Sequence, residues 1–140
     1  MKPGSVAIAL ACAALFLSGC SSTPTSIAVE TQKGTPDGFD STSNLLNGEP
    51  GAAWLRGRDG FAIVTYGSSA CPPVPVKLEL MDEANLSVTY VRSPNSPCGA
   101  ELEATTSRFD SPKGLAESGP VTLTVVYDFD EDYEYALTLG

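Results

Sequence analysis

Hydrophobic positions along this chain change character twice. An uninterrupted apolar run occupies Val6 to Leu17. From Ser21 to Gly51 the chain turns rich in Ser, Thr, Pro and Gly, and its few apolar residues (Ile27, Val29, Phe39, Leu45 and Leu46) keep neither a helical nor a strand period. From Ala52 onward, short runs of Val, Thr, Tyr and Leu alternate with Gly and Pro clusters, a pattern that predicts strands. Ala53 to Arg58, Asp59-Gly60 and Phe61 to Tyr66 predict a hairpin closed by a two-residue type I' turn, because Asp-Gly accepts the positive φ angles such a turn needs. Val74, Val76, Leu78 and Leu80 alternate with polar neighbours, as do Leu86, Val88 and Tyr90, and Asp82 to Asn85 supplies the turn between them. Cys98, Ala100, Leu102 and Ala104 share a side in a further strand. Val121, Leu123, Val125, Tyr127 and Phe129 carry the same period, and Tyr133, Tyr135, Leu137 and Leu139 end the chain, with Phe129 and Tyr133 directed toward the core.

Seven candidate strands in about 90 residues suit an all-β fold, a small antiparallel β-sandwich of immunoglobulin-like kind, with a small open barrel as the alternative. Ser107 to Pro120, with Pro112, Gly114, Gly119 and Pro120, is expected to cross between the two sheets. The organisation read from the pattern is a leader over residues 1–19, a flexible tether over 20–51 and the β-domain over 52–140, with Ile27 to Val29 or Leu45-Leu46 docking as an edge strand as the alternative to a free tether.

The leader has the parts of a secretory signal: Lys2 beside the amino terminus, an apolar run of 12 residues that is too short to span a bilayer, then Leu17-Ser18-Gly19-Cys20 and an abrupt polar turn. Leu-Ser-Gly-Cys resembles the lipobox of bacterial lipoproteins. That resemblance implies that Cys20 receives diacylglycerol, becomes the first residue after cleavage and anchors the chain at the outer face of the cytoplasmic membrane; several acyl methylenes at about 0.8 kcal/mol each give a stable attachment. Cys12 leaves with the leader. Cys71 and Cys98 then remain, 27 positions apart in a chain that enters an oxidising compartment, and are expected to pair. The stretch Tyr66-Gly67-Ser68-Ser69-Ala70-Cys71-Pro72-Pro73-Val74-Pro75, with Cys98-Gly99-Ala100-Glu101-Leu102, resembles small actinobacterial secreted proteins and lipoproteins with a Gly-Ser-Ser-x-Cys-Pro segment. This second resemblance supports the disulfide and the address, and carries over no activity or ligand.

Charge and composition narrow the chemistry. The chain has no histidine, which removes Ser-His-Asp and Cys-His catalysis and His-ligated zinc. With Asp+Glu 17 against Lys+Arg 8 and a net charge of -9, it lacks the basic surface that nucleic acids require. Ser68 and Ser69 stand in no nucleophile motif, and the sequon Asn85-Leu86-Ser87 is read as chance. Asp128, Asp130 and Asp132 have the alternate spacing of calcium ligands, but Tyr133 stands where an EF-hand wants Gly and Leu139 where it wants the bidentate Glu, so a solvated hairpin tip is the expectation and no metal or other cofactor is called for. Trp54, Arg56 and Arg58 form a candidate binding surface for a carbohydrate, a peptidoglycan stem or a protein; the alternative is a Trp at the sandwich rim with its arginines paired to surface acids. Glu79, Glu101 and Glu103 supply carboxylates for a glycosidase only if a cleft holds two of them together. The expected function is a non-enzymatic, membrane-anchored binding module facing an envelope protein or cell-wall partner. A protease-inhibitor-like loop at Cys71 to Pro75 or a small-ligand sensor comes next, and a carboxylate- or metal-dependent hydrolase last.

Overall fold

The computed structural model describes residues 19, 22–39, 46–129 and 133–140. The expected leader up to Ser18, the expected lipidation site Cys20, Leu45, and two of the three candidate calcium ligands, Asp130 and Asp132, lie outside the described residues.

Among the described residues eight strands are present: β1 (Glu30–Lys33), β2 (Gly51–Trp54), β3 (Gly60–Gly67), β4 (Val74–Asp82), β5 (Asn85–Val91), β6 (Glu103–Asp110), β7 (Val121–Tyr127) and β8 (Tyr133–Leu139). They pair into two four-stranded sheets, β1-β6-β3-β2 and β4-β5-β7-β8. Alternation places Phe61 and Ile63 of β3 and Phe109 of β6 against Leu86, Val88 and Tyr90 of β5, Val121, Leu123 and Val125 of β7 and Leu139 of β8, and all ten are buried. Each such side chain contributes roughly 1.5–3 kcal/mol when fully removed from water. The all-β sandwich read from the sequence is therefore the fold, and the expected turn is present, with Asp82 accepting from the Ala84 amide at 2.8 Å and from the Asn85 side chain. The crossing expected over Ser107 to Pro120 is made by residues 111–120 only, because Ser107 to Asp110 belong to β6.

Five details differ from the expectation. First, β5 and β7 run parallel, Asn85 facing Thr122 through Tyr90 facing Tyr127, whereas the other pairs are antiparallel. The cause is the path between them: the chain leaves β5, traverses the opposite sheet as β6 and returns to lie beside β5 in the same direction, the long crossover that a parallel pair needs.

Second, the stretch expected as tether is docked over much of its length. Val29 donates to the Arg108 carbonyl at 2.8 Å, Gly34 to that of Ala104 at 2.9 Å and Ile27 to that of Pro75 at 3.0 Å. Beyond β1, Thr106 donates to the Gly34 carbonyl at 2.6 Å and the Phe39 ring lies against Gly51. The gain is coverage: β1 pairs the open edge of β6, and the following residues lie on the outer face of the sheet, where Ala62, Val64 and Thr106 are buried although they point away from the core.

Third, Asp59-Gly60 is not the turn. The β2–β3 connection runs Leu55 to Asp59 through a 3-10 turn at Arg56–Arg58, and positive φ falls at Gly57 (72°) and Arg58 (60°). A left-handed non-glycine residue costs on the order of 1–2 kcal/mol, and Arg58 offsets this by donating to the Gly119 carbonyl at 2.7 Å while its own carbonyl accepts from Ser111 Oγ at 2.7 Å. Gly60 already belongs to β3, where it is required for close approach, since a Cβ would overlap the Phe109 carbonyl oxygen and press on Leu55. Gly60→Ala should therefore destabilise the domain by about 1–3 kcal/mol, the range for overpacking. A fall in the urea midpoint checks this, and an unchanged midpoint would show that the β3–β6 pair yields without cost.

Fourth, the strand expected from Cys98 begins only at Glu103, and Leu102 is half exposed. Fifth, Val76 is bulged out of register between Pro75 and Lys77, where Pro75 lacks a ladder amide and gives its carbonyl to Ile27.

Candidate functional site

A groove of about 460 Å³ opens at the end of the sandwich where β3, β7 and β8 meet. Its origin lies in strand lengths. In the first sheet β2 begins at Gly51, opposite Val64, so the last three residues of β3 have no β2 neighbour. In the second sheet the core-facing positions continue past Val125 to Tyr127, paired with Tyr133, and Tyr135 pairs with Val125. Tyrosine suits such a boundary, with an apolar ring toward the core and a hydroxyl toward water.

The rings contact one another in sequence. Tyr127 meets Tyr135 edge-on at 6.1 Å and Phe129 at 5.3 Å, and the Tyr133 and Tyr135 planes are within 14° of parallel at 6.3 Å. Tyr133, expected in the core, is 52% exposed and presents its ring to solvent. On the opposite wall, the Arg92 guanidinium lies 5.2 Å from the Phe129 ring centre and donates to the Phe129 carbonyl at 3.3 Å. Burial pushes the Tyr127 phenol well above the ordinary tyrosine range, with the neighbouring Tyr135 adding to the effect. Tyr135 is also raised, by burial first and then by the charge of Glu49. Like any tyrosine at neutral pH, both phenols are protonated and can donate as well as accept.

The remaining wall is a cross-linked loop pair. Cys71 and Cys98 form the expected disulfide, joining the β3–β4 and β5–β6 connections. Glu101 accepts from Ser69 Oγ at 2.9 Å, from the Ser69 amide at 3.2 Å and from Ser68 Oγ at 3.2 Å. Ser68 in turn accepts from the Gly99 amide, and Asn95 donates to the Ala70 carbonyl at 2.8 Å. Its own backbone amide and the two serines hold the Glu101 carboxyl below the usual range, so it is ionised, the opposite of what a general acid needs. Ser68 and Ser69 are thus spent on orienting Glu101.

The other candidates take different places. Trp54 faces inward, edge-on to Phe61 at 6.4 Å, and the Arg58 guanidinium covers its ring at 4.7 Å. These two form a staple between the β2–β3 loop and the crossover. Arg56 is exposed and borders, with Trp54, a second groove of about 600 Å³ under Pro36 to Phe39. The 3-10 turn breaks the alternation that would have put all three residues on one face. Glu79 pairs with Lys77 at 2.9 Å on β4, and Glu103 is exposed at the start of β6. Asp128 is exposed at the start of the β7–β8 turn, and among the described residues no cluster of three potential metal ligands is present.

The aromatic groove is not evident from the sequence, where its tyrosines read as the ends of core strands. The available signal is the replacement of Val and Leu by Tyr at the adjoining ends of the last two strands. No protein-family model, curated protein or solved structure matches the chain.

Proposed function

We propose that this chain is a lipid-anchored module of the cell envelope, held through acylated Cys20 at the outer face of the membrane, which binds a partner in the aromatic groove without converting it. The observation that carries the reading is the groove itself: five aromatic rings and a guanidinium converge at an open end of the sandwich, walled by a disulfide that suits an oxidising compartment. A binding role is favoured over hydrolysis because no carboxylate is among the described residues lining the groove, and Glu101, on the loops that wall it, is held ionised and engaged by serines. An inhibitory loop at Cys71 to Pro75 is disfavoured because those residues are half-buried or buried and do not project.

Two measurements test the two halves. Cys20→Ala should shift the protein from the membrane fraction to unprocessed or released forms, and unchanged cleavage with unchanged retention would overturn the anchor. A photoreactive residue in place of Tyr133, in intact cells, should capture a recurring adduct that the same probe in place of Lys77 does not. Identical capture from both positions would overturn the groove as the working surface.

A further inference from the structure

We infer that the aromatic groove is a binding site for an uncharged glycan chain; this rests on the reading of the groove as the working surface and specifies its ligand. The argument begins with what the walls offer. Sugars present alternating patches of C–H and O–H, and a matching site needs ring faces beside hydroxyl and amide groups. Tyr133 and Tyr135 supply two nearly parallel rings along one strand, 6.3 Å between centres, with Tyr133 half exposed. Ser93 and Asn47 border the same space and supply hydroxyl and amide groups, and the phenol hydroxyls of Tyr127 and Tyr135 in the lining can donate as well as accept. The volume of about 460 Å³ lies inside the roughly 300–1,000 Å³ range of small-ligand sites.

Charge then selects among ligand classes. Arg92 is the one ionised side chain in the lining among the described residues, and it is already directed to the Phe129 ring and carbonyl. Outside the lining the surroundings are acidic: Glu49 is close enough to act on Tyr135, Asp128 flanks Phe129, and the whole chain carries -9. Polyanions are repelled by that field. A basic peptide is drawn to the rim but meets Arg92 within the groove. A lipid tail would strand the serine, amide and phenol groups without partners. An uncharged polyhydroxylated chain satisfies the rings and the polar groups together and is indifferent to the field.

The test uses the full chain purified from membranes in detergent, titrated by calorimetry with cellotetraose, mannotetraose and N-acetylchitotetraose, and with decalysine and polygalacturonate as charged probes. Sedimentation with deproteinised envelope polysaccharide extends the test to glycans outside the panel. The expected result is saturable binding to a neutral tetrasaccharide or to the polysaccharide, little changed by salt. Tyr133→Ala should weaken it at least about tenfold, whereas Tyr133→Phe and the exposed Thr138→Ala should stay within about threefold. Binding of decalysine or polygalacturonate alone, lost in Tyr133→Ala, would overturn the glycan and leave the groove as a working surface. Glycan binding untouched by Tyr133→Ala and by Tyr135→Ala would overturn the site. No binding to any probe or to the polysaccharide would overturn the glycan assignment, and the crosslinking experiment at Tyr133 would then decide whether the groove reading survives.

Discussion

Phe61→Ala should cost the domain about 3–5 kcal/mol, the range for removing a buried aromatic side chain. Phe61 is fully buried, stacks on Phe109 at 5.2 Å and an 18° interplanar angle, and receives the edge of Trp54. It joins β3 to β6 within one sheet and packs that sheet on the other, so its removal opens a void bordered by strands that are themselves hydrogen-bonded and cannot close in. A small domain has roughly 5–15 kcal/mol in total, so the variant should be largely unfolded at modest urea concentrations. Trp54 fluorescence reports the transition directly because its ring leans on the deleted one. Phe61→Leu, which keeps most of the volume, should cost clearly less. Equal losses from the two variants would mean that aromatic contact geometry, and not cavity formation, holds this part of the core.

That core is largely legible in the sequence, because β5 and β7 each carry a clean apolar alternation whose inner members are Leu, Val or Tyr; β4 follows it at Leu78 and Leu80 but not before its bulge, where Pro75 is buried and the expected Val74 and Val76 are only partly covered. What is not legible has physical causes. Strand β1 reads Glu-Thr-Gln-Lys, all exposed, and it exists because the β6 edge offers unpaired backbone groups, not because its side chains prefer the interior. The inner face of β6 is Thr105, Ser107 and Phe109, and two hydroxyl residues mask the period; Ser107 faces the buried Tyr90 phenol across the interior. The apolar-looking alternation from Cys98 to Ala104 lies mostly in a loop, where the cross-link and the Glu101 hydrogen bonds fix the backbone. Gly60 illustrates a different ambiguity: glycine serves both positive φ and close approach, and its dipeptide context suggests the first while the Phe109 carbonyl imposes the second. The groove is hidden in the sequence for the same reason that the fold is not. Alternation assigns Tyr127, Tyr133 and Tyr135 to the inner face, correctly, but the depth of cover over that face depends on where β2 begins on the other sheet.

Cys71→Ser combined with Cys98→Ser should lower stability by about 3.5 kcal/mol, on the model in which a cross-link across this loop mainly restricts the unfolded chain. The two cysteines are 27 positions apart, and β4 and β5 lie between them, so the released loop contains a whole hairpin of the second sheet. The loss should therefore appear at equilibrium as a lower urea midpoint together with a steeper dependence on denaturant, since the freed unfolded chain exposes more surface. The variant also reaches the groove. Both sulfurs border it, and the connections they join carry Ser68, Arg92 and Ser93. Without the bridge these connections are held to each other by the Glu101, Gly99 and Asn95 hydrogen bonds, which lie on exposed groups where water competes for both partners. Ligand affinity should consequently fall even at low temperature, where the double variant is still folded. Full affinity in the folded, bridgeless protein would confine the disulfide to a stabilising role and leave the groove to the tyrosines of β7 and β8.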